Sequence, residues 1–175
     1  MNIVVIQNVV KNMSITTKEG DDGKSRFFMR EIEKDNILME TMGTIDELQS
    51  CLGLSKSLIK KKEWKEEIEK IQKNMIDISG VLIVEGEWKK SEKEIEFLDK
   101  RIEEMENQVP TMRGFVVVGE NTSEAALNLS RAICRRVERR VVGLKKEQKV
   151  DKNILIYFNR LSDYLFLGAV EQIKK

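Results

Sequence analysis

The sequence predicts an all-α protein, an antiparallel bundle of four or five long helices. Three observations point to it. Ten glycines and one proline among 175 residues are about half the usual combined share of roughly 12%, so little interrupts a helix. Apolar residues recur every three or four positions over long stretches. Polar junctions carrying cap residues separate those stretches. At 41% hydrophobic and 35% charged the composition is globular, and one domain over 1–175 can bury a core of its own.

Residues 1–38 read as an irregular arm with short apolar alternation and the glycine-bearing TTKEGDDGKS. A first helix is predicted over about Met39–Ile59, with Ile45, Leu48, Leu52 and Ile59 on one side. A second is predicted over about Lys61–Leu82, where Trp64, Ile68, Ile71, Met75, Ile78 and Leu82 keep amphipathic spacing. After the polar VEGEWKK, Ser91 stands three residues before Glu94, the pattern of a capping box opening a third helix that ends before Pro110. Phe115–Val118 is a short β-branched run, read as extended. Asn121 with Glu124 resembles another cap, opening a fourth helix to about Lys146. Asp151 caps a last helix carrying Ile154, Tyr157, Leu161, Tyr164, Leu165 and Gly168.

Composition excludes several chemistries. No histidine is present, which removes Ser-His-Asp and Cys-His catalysis, histidine–zinc sites and the Glu-x-x-His di-iron bundle. Two cysteines, Cys51 and Cys134, cannot make a structural zinc site alone and are read as reduced packing residues of a cytoplasmic protein, with a disulfide between them as the lesser alternative. No apolar run approaches the roughly 18 residues a membrane span needs. The opening MNIVVIQNVVKN lacks the basic start and long apolar stretch of a signal peptide. A net charge of +1 argues against a dedicated nucleic-acid binder.

Four patterns could carry chemistry. GDDGKS at Gly20–Ser25 lacks the earlier glycine of a Walker A loop, since that position is Lys18. Its glycines, with Thr17 and Lys18, suit either a solvated loop or a wrap around a polyphosphate. RAICRRVERRVVGLKK holds seven basic residues and one acid. At about 100° per residue, Arg131, Arg135 and Glu138 share one side, with Ala126, Leu129, Ile133, Val137 and Leu144 nearly opposite. Such an outward charged face is either merely solvated or needs a second subunit to wall it in. Gly43, Asp46, Ser50, Gly53 and Ser57 form a narrow stripe of mostly small residues on the first helix, fit for close packing within the chain or against another. Asn159, Arg160 and Asp163 interrupt an apolar last helix, satisfying each other or orienting a polar ligand.

Together these segments resemble the PduO-type ATP:cob(I)alamin adenosyltransferases, the corrinoid adenosyltransferases. TTKEGDDG is similar to the family's TKTGDDG loop, and GTIDELQSCLGL to its GTVDELNSALGL. IQKNMIDISGVL is similar to IQNDLFDLGADL, SRAICRRVERRVVGL to ARAVCRRAERRVVAL, and YFNRLSDYLFLGA to YLNRLSDYLFVLA. The order and spacing agree over about residues 14–170. The resemblance implies a five-helix, ferritin-like up-and-down bundle assembled as a homotrimer, with ATP and corrinoid bound between subunits. It implies transfer of the 5′-deoxyadenosyl group of ATP to cob(I)alamin, with Mg²⁺ as cofactor. Further implied partners are an electron-donating reductase and an adenosylcobalamin-dependent enzyme. Because Co(I) is itself the nucleophile, no histidine base is required.

Carried over by position, Thr17, Lys18 and Gly20 would cradle the ATP phosphates, with Ser25 and Lys34 nearby. Arg135 and Arg139 would hold phosphates from the adjoining subunit, and Glu138 and Asn159 would position nucleotide and metal. Asp46 and Arg131 would pair across the interface, and Phe115 would displace the corrinoid's lower axial ligand. The chain departs from the pattern at Val118, Gly119 and Glu120, where the family has Pro-Gly-Gly, at Asn128 (often His), at Glu19 (usually Thr), and at Lys24 and Arg26. Two other readings are weighed against this one: a noncatalytic helical protein binding RNA or another polyanion, and a homologue that delivers adenosylcobalamin with weak turnover.

Overall fold

The computed structural model describes residues 20–27, 30–108 and 117–173. Five helices form its body: α1 (Ile37–Leu58), α2 (Lys62–Val84), α3 (Ser91–Glu106), α4 (Thr122–Leu144) and α5 (Lys152–Ile173). α4 packs between α1 and α5, α3 lies against α5, and α2 against α1. α1 and α4 run antiparallel, since the end of α1 meets the start of α4 where Ser123 Oγ donates to Leu58 O. At the other end of this pair Arg140 reaches Glu40.

Every apolar position that the periodicity assigned to the inner faces of α1, α2 and α5 is buried. At the centre stand Trp64, Tyr157, Phe158 and Tyr164, each no more than 2% exposed. Trp64 and Tyr164 lie with ring centroids 5.0 Å apart, and Trp88 meets Tyr157 edge-on at 4.9 Å, spacings within the range aromatic pairs favour. Gly168 makes the first contact fit: a Cβ there would sit 2.3 Å from Trp64 Cη2. Two buried polar side chains, Asn74 and Glu94, are held by partners. Asn74 Nδ2 donates to Glu94 (2.9 Å) and to the Tyr157 hydroxyl (3.1 Å), and Lys70 Nζ pairs with the same Glu94 oxygen at 2.9 Å.

Three local expectations are corrected. The arm is not wholly irregular: Lys24–Phe27 (β1) and Arg30–Glu33 (β2) form an antiparallel hairpin with Ser25 opposite Ile32. Half-buried Ile32 packs against the bundle core and docks it. Ser91 is the first residue of α3 rather than its cap, and Glu94 turns inward to Asn74 and Lys70 instead of back to the helix start. Leu129 is 49% exposed, because the buried arc of α4 runs through Ser130, Cys134, Val137 and Val141 and leaves Leu129 at its edge. Of the run Phe115–Val118, only Val117 and Val118 are described; both are exposed and lie in no strand. The Asn121 cap stands, its Oδ1 accepting Glu124 N at 3.0 Å, as does Asp151 before α5, accepting Asn153 N at 2.9 Å.

Both cysteines are free thiols. Among the described residues no helix is long and apolar enough to cross a membrane.

Candidate active site

The four arginines of the CRRVERR segment part into two pairs because neighbouring residues on a helix point about 100° apart. Arg136 and Arg140 lean toward α1 and form ion pairs with Glu47 and Glu40. Arg135 and Arg139 are exposed and pair with no acid among the described residues. The helix thus presents two uncompensated guanidiniums on successive turns, while the flanking two serve the α1–α4 seam.

Beside them, Glu138 is half-buried and its Oε1 lies 3.5 Å from Asn159 Nδ2 on α5, a contact at the outer limit of a hydrogen bond. Asn159 Oδ1 accepts from Arg160 Nη1 at 3.0 Å, and Arg160 Nε donates to Asp99 on α3 at 2.7 Å. Asn159 and Asp163 are both exposed; α4 and α3 supply the partners of Asn159 and Arg160, so Asn159 and Asp163 do not simply satisfy each other. Among the described residues no cluster of three or more acidic or thiol groups could hold a metal. Glu138 is a single carboxylate, which could serve only a cation that takes most of its oxygen ligands from elsewhere.

One turn nearer the start of α4, Arg131 is half-buried. Its Nε donates to Asn128 Oδ1 at 3.2 Å, and its guanidinium lies over the Phe166 ring of α5, 5.8 Å from the centroid. Asn128 Nδ2 donates in turn to Glu124 Oε1 at 2.6 Å. Glu124 is fully buried, and its other oxygen accepts the backbone N–H groups of Gly119 (2.8 Å) and Glu120 (3.1 Å). Sequence pattern alone marks Glu124 as part of a helix cap and Asn128 as a departure from the family pattern. The i, i+4, i+7 run of Glu124, Asn128 and Arg131 was the signal for a connected row.

At the other end of the chain, Lys34 Nζ donates to Gly20 O, and Gly20 O also accepts Gly23 N at 3.4 Å. Gly23 adopts φ +86°, the left-handed region that glycine enters without strain. Ser25 follows on β1, half-buried. The loop residues Gly20, Ser25 and Lys34 are therefore gathered on one hairpin, which leads into α1 at Ile37, the residue against Gly143 near the end of α4. Among the described residues, no hydrogen bond or ion pair joins them to Arg135 or Arg139. Thr17, Lys18 and Phe115 lie outside the described residues. Asp46 is exposed on the outer face of α1, in no ion pair with Arg131 among the described residues. Gly43, Ser50 and Ser57 of the same stripe are exposed too, and only Gly53 meets a neighbour, Gln72 of α2. Among the described residues the stripe is therefore largely uncovered.

The family model for cobalamin adenosyltransferase matches residues 15–171. The chain belongs to that family. A corrinoid adenosyltransferase of Bacillus subtilis is 35% identical over 164 residues, spanning 90% of this chain and 85% of the relative. The human corrinoid adenosyltransferase MMAB is 36% identical over 168 residues, spanning 89% of this chain and 67% of its own. A variant of the PduO-type ATP:corrinoid adenosyltransferase from Lactobacillus reuteri, solved with cobalamin and ATP, superposes with a TM-score of 0.85 at 31% identity, covering 91% of both chains. The matched region takes in the hairpin, all five helices except the last two residues of α5, and the whole CRRVERR segment.

Proposed function

We propose that this adenosyltransferase transfers the 5′-deoxyadenosyl group of ATP to cob(I)alamin, using sites shared between the subunits of a homotrimer. The observation that carries the reading is the sorting of α4: two exposed arginines stand free beside two neutralised ones. In the reaction Co(I) attacks C5′ of ATP, the C5′–O bond breaks, and its electron pair departs with triphosphate. Negative charge grows on the leaving group, so fixed cations aimed at it lower the barrier. Arg135 and Arg139 serve that purpose. Glu138 and Asn159 position the nucleotide, with Glu138 as the one protein carboxylate toward Mg²⁺, which when bound further neutralises the phosphates. The loop residues Thr17, Lys18 and Gly20, with Ser25 and Lys34, wrap the polyphosphate, and Phe115 faces the corrinoid.

A trimer is supported by what the lone chain leaves uncovered. The small-residue stripe with Asp46 faces outward, and Leu54 and Leu58 on α1 and Leu129 on α4 are exposed. Asp46 then meets Arg131 of the next subunit. The arm and bundle act as one domain, each subunit lending its loop to a neighbour's arginines.

The test is direct. The protein is incubated with Mg-ATP and chemically reduced cobalamin while the corrinoid spectrum is followed. Conversion to adenosylcobalamin with release of triphosphate is expected. Salt-sensitive binding of any polyanion without nucleotide selectivity or conversion would favour the noncatalytic reading instead.

A further inference from the structure

We propose that Glu124 and Asn128 are positioning residues that fix the Arg131 guanidinium, Glu124 doing so by dictating which end of the Asn128 amide faces it. A carboxylate only accepts hydrogen bonds and a guanidinium only donates them, while an amide does one at each end. Glu124 Oε1 therefore selects Asn128 Nδ2, at 2.6 Å, and leaves Asn128 Oδ1 for Arg131 Nε, at 3.2 Å. The row has one polarity and no alternative. Its far end is anchored as well, because Glu124 Oε2 holds the backbone of Gly119 and Glu120. The same fully buried carboxylate thereby ties the loop entering α4 to an arginine two turns along it. The Phe166 ring lies beside the same guanidinium, its centroid 5.8 Å away. That this orientation serves catalysis rests on the proposed function; that it exists rests on the hydrogen bonds alone.

The polarity argument yields a rescue test. Glu124→Gln keeps the volume, and its carbonyl can still accept from Gly119 and Glu120, but its amide then faces the Asn128 amide, donor to donor. Turning Asn128 over only moves the clash to Arg131. Adding Asn128→Asp restores the row at unchanged net charge, because the carboxylate it introduces accepts from both the new glutamine amide and Arg131. The readout is hydrogen exchange of the Arg131 Nε–H resonance, assigned by its loss in Arg131→Lys. Exchange should accelerate roughly tenfold in Glu124→Gln, as for loss of one hydrogen bond, and return toward wild type in the double variant. Adenosyl transfer should follow the same order. If the single variant does not fold, folding regained in the double is the expected rescue. If neither folds, Asn128→Ala, which removes the link without opposing donors, should accelerate exchange. Unchanged Arg131 exchange in a folded single variant or in Asn128→Ala, a folded double variant no closer to wild type than the single, or transfer rates indifferent to all three, would overturn the proposal. A wild-type protein that makes no adenosylcobalamin would overturn the functional reading instead, and the exchange rates would still decide whether Glu124 orients Arg131.

Discussion

Arg135 and Arg136 are neighbours in sequence with opposite employment. Arg135→Ala should slow transfer by roughly 10²-fold, the loss associated with one preorganised donor at a developing charge. Arg136→Ala removes an exposed pair with Glu47, an interaction worth about 0.2–1 kcal/mol, and should leave the rate within a few-fold of wild type. Steady-state kinetics on both variants checks the contrast, and equal losses would contradict it. Buried ionisable groups give a second test. Burial raises the Cys134 thiol far above its ordinary 9.0 and the Tyr157 and Tyr164 hydroxyls far above their ordinary 10.0. The unfolded chain therefore ionises first as pH rises. Stability from these groups is whole below pH 9 and is lost above it, by up to about 1.4 kcal/mol per pH unit for each. Denaturation midpoints should fall steeply beyond about pH 10, less steeply in Tyr157→Phe. A thiol reagent at pH 8 should leave Cys134 unlabelled until the protein unfolds; labelling of the folded protein at that site would contradict the burial.

At the scale of elements, the helices were legible because each buries a face, and burial imposes a 3.6-residue period. The hairpin was not. Two four-residue strands offer too few alternations to stand out, and a docking contact through Ile32 leaves no pattern of its own. The α3 cap was misplaced for a tertiary reason: Glu94 spends its carboxylate on Asn74, 20 residues earlier, and on Lys70. Packing between elements also reverses a simple propensity rule. Gly168→Ala should gain about 1 kcal/mol of helix propensity, yet its methyl would meet the Trp64 ring, which is buried and packed on Tyr164. Overpacking of this kind costs about 1–3 kcal/mol, so a net loss in urea titration is expected. A more stable Gly168→Ala protein would show that the indole can shift.

For the whole molecule, the site was legible as segments but not as a place. The CRRVERR and NRLSD motifs supplied the candidate residues; only the three-dimensional arrangement shows that Glu40 and Glu47 occupy two of the four arginines, since those acids come from another helix. Sharing between subunits can be tested by co-refolding Lys18→Ala and Arg135→Ala chains, once each pure variant has been shown to be nearly inactive. A head-to-tail ring restores an intact site at about a quarter of interfaces if mixing is random, whereas a site within one chain is never restored. Activity near that fraction supports sharing; none, with mixed trimers confirmed by mass, excludes it. If the α4 arginines receive the polyphosphate as proposed, their sorting also governs how it is captured from solution. An approaching polyphosphate meets a field of two unspent cations per chain rather than four, so capture should slow with ionic strength less steeply than the motif's composition suggests. Glu40 and Glu47 act in that sense as a governor on long-range attraction. Replacing both by glutamine would release the other two arginines and make association faster in dilute buffer and more sensitive to salt.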